Sequence, residues 1–176
     1  MICGVLAGVC LLRTARAAPT AQRIFWLVAA ALVQLRLLAN LLDGMVAIES
    51  GTASPLGELF NEAPDRISDA TTLIGLGYAA GGNEVLGWCA ALLGVMTAYV
   101  RTLCKSAGAP SDFRGPMAKQ QRMFLVTAVC VFNALAPRAM WHWSLAGYCL
   151  GIISLGCLVT ICRRLGRSAR ILRSKA

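Results

Sequence analysis

Apolar runs without a charge cover residues 1–12, 24–35, 70–83, 85–100, 123–137 and 139–162, with short polar breaks between them. A helix needs about 20 mostly apolar residues to cross a bilayer. Only the last run reaches that length alone. The second does so by extending through Arg36 to Leu42. The third must run back through an acidic stretch, the fourth reaches Leu103, and the fifth takes in residues 119–122. The first run stays short. It lacks the basic leader of a cleaved signal peptide, so it reads as a short or truncated first span. The breaks carry turn chemistry: Gly51-Thr-Ala-Ser-Pro55, Gly81-Gly82-Asn83, Gly108-Ala-Pro110, Gly115-Pro116 and Pro137. The pattern predicts an all-α integral membrane protein, one six-helix bundle over residues 1–176 with no internal repeat.

Composition agrees. The chain is 57% hydrophobic and 14% charged, with a mean hydropathy of +0.65. Soluble domains carry about 25% charged residues, so an ordinary soluble domain or a disordered chain is excluded. The net charge of +9 would suggest nucleic acid in a soluble protein. Here six of the basic residues crowd positions 163–176 (Arg163, Arg164, Arg167, Arg170, Arg173 and Lys175), directly after an apolar run. That is the signature of a basic cytoplasmic tail beside anionic lipid, not of a nucleic-acid partner. With the C-terminus inside, Lys105, Arg114, Lys119 and Arg122 join the tail on the cytoplasmic side. Only Arg13, Arg16, Arg23 and Arg138 lie opposite. Eight cysteines form no CxxC pair and mostly sit in apolar runs, where they act as small hydrophobes. Neither zinc nor a disulfide framework is expected. His142, between Trp141 and Trp143, reads as part of an interfacial aromatic belt.

The acids are concentrated. Six of eight lie between positions 43 and 69: Asp43, Glu49, Glu58, Glu62, Asp65 and Asp69. A carboxylate at the bilayer centre costs roughly 2.5–3.5 kcal/mol, so several near membrane depth require a metal ion, basic partners or a wet cavity. Asn40 and Asp43 are three apart near the end of the second span. Asn61, Asp65 and Asp69 are four apart at the start of the third. Each set shares one helical face. Oxygen ligands from two facing helices suit a hard cation, Mg²⁺ or Mn²⁺. Gly44, Ala47 and Gly57 are small enough for close approach of a ligand, or of a packed helix. Arg36, four residues before Asn40, reads as a structural partner for an acid. Arg101, Lys119 and Arg122 read as phosphate ligands, or as snorkelling cations at helix ends.

The segment Asn40-Leu-Leu-Asp43-Gly44-Met-Val-Ala47-Ile48, then eight residues, then Gly57-x3-Asn61-x3-Asp65, resembles the signature of the CDP-alcohol phosphatidyltransferases, D-x2-D-G-x2-A-R-x8-G-x3-D-x3-D. Every spacing is kept. Asp43, Gly44, Ala47, Gly57 and Asp65 match, while Asn40, Ile48 and Asn61 depart. The resemblance implies a six-span, homodimeric membrane enzyme of phospholipid biosynthesis. It would transfer a phosphatidyl group from CDP-diacylglycerol to an alcohol acceptor and release CMP, with Mg²⁺ (or Mn²⁺) as cofactor. By position, Asp65 would be the base and a metal ligand, Asp43 would bridge metals, and Asn40 and Asn61 would be weakened ligands. Gly44, Ala47 and Gly57 would line the cytidine pocket, and Glu62 or Asp69 would restore the missing charge. The expected location is a bacterial inner (cell) membrane, with the active site facing the cytoplasm. The two asparagines also admit a non-catalytic membrane protein that binds a CDP-lipid or a partner. An ion pathway through the acids is a third reading.

Overall fold

Six α-helices form among the described residues of the computed structural model, which are 1–49, 55–136 and 144–174. They are α1 (Ile2–Thr14), α2 (Pro19–Glu49), α3 (Pro55–Gly77), α4 (Glu84–Ser106), α5 (Lys119–Leu135) and α6 (Leu145–Arg173). No strand occurs in these segments. The Trp-His-Trp belt and most of the 49–56 break lie outside them. Three helices are long and apolar enough to cross a membrane: α2 over Pro19–Val46, α4 and α6. The other three are limited by length or by charge. With 13 residues, α1 extends about 20 Å against a hydrocarbon core of about 30 Å. The 17 residues of α5 also fall short of a full span, and α3 carries the acidic cluster.

Packing joins α1 to α2 and α3, α3 to α4, α4 to α6, and α2 to α5. The shared core includes Leu11, Trp26, Val33, Leu73, Met123 and Ile153. Large apolar side chains such as Leu27, Leu38, Leu92 and Leu155 remain exposed on the outer faces. In water that arrangement would be costly; in lipid it is the expected solvent contact. Interior contacts use small residues instead. A Cβ on Gly8 would lie 2.5 Å from the Thr71 carbonyl oxygen, and one on Gly75 would lie 2.6 Å from the Gly8 Cα. Backbone therefore meets backbone where α1 crosses α3, and any side chain there would force the helices apart.

Of the expected turns, those at 81–83, 108–110 and 115–116 appear, while Pro137 and most of the 51–55 break lie outside the described residues. Gly81 takes a φ of 73°, a region that favours glycine. Its carbonyl accepts from the Gly147 amide at 3.0 Å and the Ser144 hydroxyl at 3.1 Å, tying the α3–α4 turn to the start of α6. Asn83 caps α4 by accepting from the Leu86 amide at 2.9 Å. At the other end of the bundle, residues 163–173 continue α6 as helix instead of forming a separate tail. Arg167 pairs there with Asp112, so the 107–118 connection and the arginine-rich end of α6 share one side. Burial raises the Asp112 carboxyl, but hydrogen bonds from the Arg114 amide and from Arg167 outweigh it and hold the group below its ordinary value. All eight cysteines are free thiols.

Candidate active site

The two halves of the spaced motif meet. Asn40, on α2, donates from Nδ2 to Asp65 Oδ1, on α3, at 2.7 Å. One turn earlier on α2, Arg36 donates from Nη2 to the same oxygen at 3.0 Å and to the Asp65 carbonyl at 3.1 Å. Lys119, at the first position of α5, faces Asp65 Oδ2. Asp69 lies one turn deeper on α3 and is buried. Its Oδ1 is 2.6 Å from Arg36 Nη2, and its Oδ2 accepts from Arg122 Nη2 at 2.8 Å. Glu62 pairs with Arg66 and with Arg101 of α4. The acidic stripe on α3 is thus matched by cations from three other helices. Asp43 follows Asn40 by one turn and is exposed, as are Gly44 and Gly57. The side chains of Ala47 and Asn61 lie outside the described set.

A cavity of about 230 Å³ opens against this stripe. Five cations line it (Arg66, Arg101, Lys119, Arg122 and Arg164) against two carboxylates, Glu62 and Asp65. Among the described residues, the Nε groups of Arg36, Arg66 and Arg122 and the Asp69 Oδ1 are buried without a hydrogen-bond partner. The excess of positive charge along the lining suits an anion. The 107–118 connection forms one wall. Phe113 covers the Arg101 guanidinium with its ring centroid 4.7 Å away. Met117 donates its amide to Thr160 at 3.1 Å, and Arg164 donates to the Arg114 carbonyl at 3.2 Å. A second cavity, about 600 Å³ and mainly apolar, runs between α2 and α5 past Leu37, Leu38, Asn40, Leu41, Gly44 and Met45. Lys119 and Gln120 border both. No described atom lies within 4 Å of where a Cβ on Gly44 would stand. Packing among the described residues does not require a glycine here, and the position borders the second cavity.

Sequence reasoning reached Arg36, Arg101, Lys119 and Arg122 but missed Arg66 and Arg164. Arg66 had a signal, since it follows Glu62 by four residues. Arg164 was hidden within the basic tail. Its neighbour Arg163 is exposed, whereas Arg164 is buried and donates to the Thr97 carbonyl at 2.7 Å.

The sequence matches the family model for CDP-alcohol phosphatidyltransferase over residues 1–160, and the chain belongs to that family. Among curated relatives, the inner membrane protein YnbA of Escherichia coli K12 is 27% identical over 134 residues, covering 74% of this chain and 67% of that protein. The archaetidylinositol phosphate synthase of Aeropyrum pernix is 31% identical over 102 residues, covering 58% and 52%. The phosphatidylinositol phosphate synthase of Cutibacterium acnes is 27% identical over 143 residues, covering 76% and 69%. The same fold occurs in the crystal structure of Mycobacterium tuberculosis phosphatidylinositol phosphate synthase with CDP-DAG bound. The TM-score is 0.70 at 18% identity, over 95% of this chain and 84% of that one. A second crystal structure of that enzyme, in complex with manganese and citrate, matches equally well and is covered to 80%.

The residues present fit a divalent cation by donor chemistry. Asp43 and Asp65 offer carboxylate oxygens and Asn40 a carbonyl oxygen, with no thiolate or imidazole among them, and the Asn40 Nδ2–Asp65 contact brings the two helices together. Among the described residues, no three His, Cys, Asp or Glu side chains are grouped to hold a metal. Asn40 and Asn61 place amides, which are none of these groups, at two positions of the spaced motif.

Proposed function

We propose that this protein transfers a phosphatidyl group from CDP-diacylglycerol to an alcohol that itself carries a phosphate, releasing CMP, in phospholipid biosynthesis. The observation that carries this reading is the excess of cations in a cavity that opens directly onto Asp65. The donor's lipid end fits the apolar α2–α5 cavity, with its diphosphate near Asn40, Asp43 and Gly44. The acceptor's phosphate fits among Arg66, Arg101, Arg122 and Arg164. Asp43, Asp65, Asn40 and Asn61 would hold Mg²⁺ or Mn²⁺, which when bound neutralises diphosphate charge and stabilises the leaving CMP.

The residues divide the work of the reaction. Phosphoryl transfer asks mainly for positioning and fixed positive charge. The cationic cavity supplies both for the acceptor. The acceptor hydroxyl oxygen forms a bond to the phosphorus nearest the lipid, the bond from that phosphorus to the oxygen of CMP breaks, and the hydroxyl proton passes to Asp65. Lys119 borders both cavities and shields Asp65 Oδ2. An incoming phosphate competes for that ammonium and frees the oxygen to accept the proton. The site lies at the arginine-rich end of the bundle, which the positive-inside rule assigns to the cytoplasm. The tally of ten basic residues on one side against four on the other supports that orientation.

CMP release from CDP-diacylglycerol by the purified protein, with Mg²⁺, tests the reading against polyols presented with and without a phosphate. Release is expected only with the phosphorylated acceptors. Arg101→Gln should raise the acceptor KM by roughly tenfold or more, since a hydrogen bond to a charged group is worth about 1.5–3 kcal/mol. Equal turnover of an unphosphorylated alcohol would remove the assigned role of the cavity. Tight CDP-diacylglycerol binding without CMP release from any acceptor would favour a non-catalytic CDP-lipid-binding protein, the reading to which the two asparagines point.

Gly44→Ala separates packing from function. A glycine inside a helix costs about 1 kcal/mol relative to alanine, and here the added methyl meets no described atom. Thermal stability is expected to rise slightly while the KM for CDP-diacylglycerol increases. A variant with unchanged kinetics would place the donor elsewhere.

A further inference from the structure

Among the described acids of the α3 stripe, Asp69 alone does not line the cavity. Its side chain is 4% exposed, and both oxygens face guanidinium groups. These guanidiniums belong to different helices and lead in different directions. Arg36 Nη2 continues to the Asp65 carboxylate and carbonyl. Arg122 Nη1 continues to the Thr97 hydroxyl at 3.2 Å and the Met117 carbonyl at 3.1 Å, at the wall of the cationic cavity. Two buried arginines without a counter-charge would repel each other and lose their orientation. We infer that Asp69 is a positioning residue: it holds Arg36 against Asp65 and Arg122 against the cavity wall, and it does not ligate the metal. This rests on the transferase reading above, because what is positioned is the proposed base. It replaces the expectation that Asp69 restores a missing metal charge, since Asp69 is buried and lines neither cavity, whereas Asp65 opens onto the cationic one.

The experiment follows Mn²⁺ binding by electron paramagnetic resonance beside steady-state kinetics, on the full-length protein in detergent. Asp69→Asn removes the charge, and Asp69→Glu keeps it but displaces it by one methylene. Arg36→Lys disturbs the same link from the other partner. For variants that elute as the wild type does, Mn²⁺ affinity should change less than about tenfold while kcat falls by roughly 10–100-fold, the scale of outer-sphere orienting contacts. If Asp69→Asn does not fold, Asp69→Glu and Arg36→Lys carry the test, because both preserve net charge. Asp69→Glu placed in the Arg36→Lys background should lose less than the two single losses combined, since the Arg36 contact is shared and only the Arg122 side of Asp69 remains to be disturbed. Asp65→Asn should lose Mn²⁺ binding and CMP release together. A loss of Mn²⁺ binding in Asp69→Glu as steep as in Asp65→Asn would make Asp69 a ligand and overturn the inference. So would an unchanged kcat in every Asp69 and Arg36 variant that folds. Absence of both Mn²⁺ binding and CMP release in the wild type would instead overturn the transferase reading itself.

Discussion

Asp65→Ala is expected to reduce CMP release by at least about 10³-fold. A positioned base alone contributes typically 10²–10⁴, and here the same carboxylate is also a proposed metal ligand. The side chain is the meeting point of Asn40, Arg36 and Lys119, so its removal also releases three polar groups from one another. Asp65→Asn is the sharper variant. It retains the shape and one carbonyl oxygen but cannot take up a proton in the same way. A comparable loss in Asp65→Asn, with unchanged elution from a sizing column, would attribute the effect to chemistry. CMP release within tenfold of wild type in Asp65→Asn would remove Asp65 from the role of base. The assay is nucleotide release under saturating CDP-diacylglycerol and acceptor, with Mg²⁺ present.

The helical pattern and its punctuation were readable because glycine, proline and asparagine act locally. Gly81 supplies the positive φ of its turn, and Asn83 caps α4 through the amide three residues away. The spacing of Asn40 and Asp65 was readable too, since each side chain lies on a face fixed by helical period. Arg36 was correctly expected to pair with an acid. What spacing cannot give is the partner across the bundle. Lys119 and Arg122, three residues apart, share a helical face, yet one faces Asp65 and the other reaches one turn deeper to Asp69. That division depends on how α5 is seated beside α3, a property of packing over more than 50 residues of separation. Arg164 shows the same limit. Within a run of arginines nothing local distinguishes the one that turns inward, and only the position of Thr97 and Arg114 selects it. The continuation of α6 through the basic residues follows a similar logic, because arginine is a good helix former and Arg167 gains Asp112 by staying helical.

Arg122→Leu should be the most destabilising charge deletion in the bundle. The side chain is 1% exposed and serves Asp69, Thr97 and Met117 at once. Breaking a buried ion pair by removing one partner costs about 3–5 kcal/mol. For a chain of this size that corresponds to a fall of roughly 6–20 °C in unfolding temperature. Leucine fills much of the space, so the loss reflects charge and hydrogen bonds more than a void. Arg122→Lys should fall between, because an ammonium keeps the charge but cannot span three acceptors with a planar fork. The coupling can be isolated by adding Asp69→Leu. The double variant buries neither half of the Arg122–Asp69 pair unmatched, so it should lose less than the two single variants combined. Equal and additive losses, followed by thermal unfolding in detergent, would mean that Arg122 and Asp69 do not share a buried contact. The cavity would then lack a fixed floor at Arg122, while Glu62, Asp65 and the Thr97 carbonyl would still hold its other four cations.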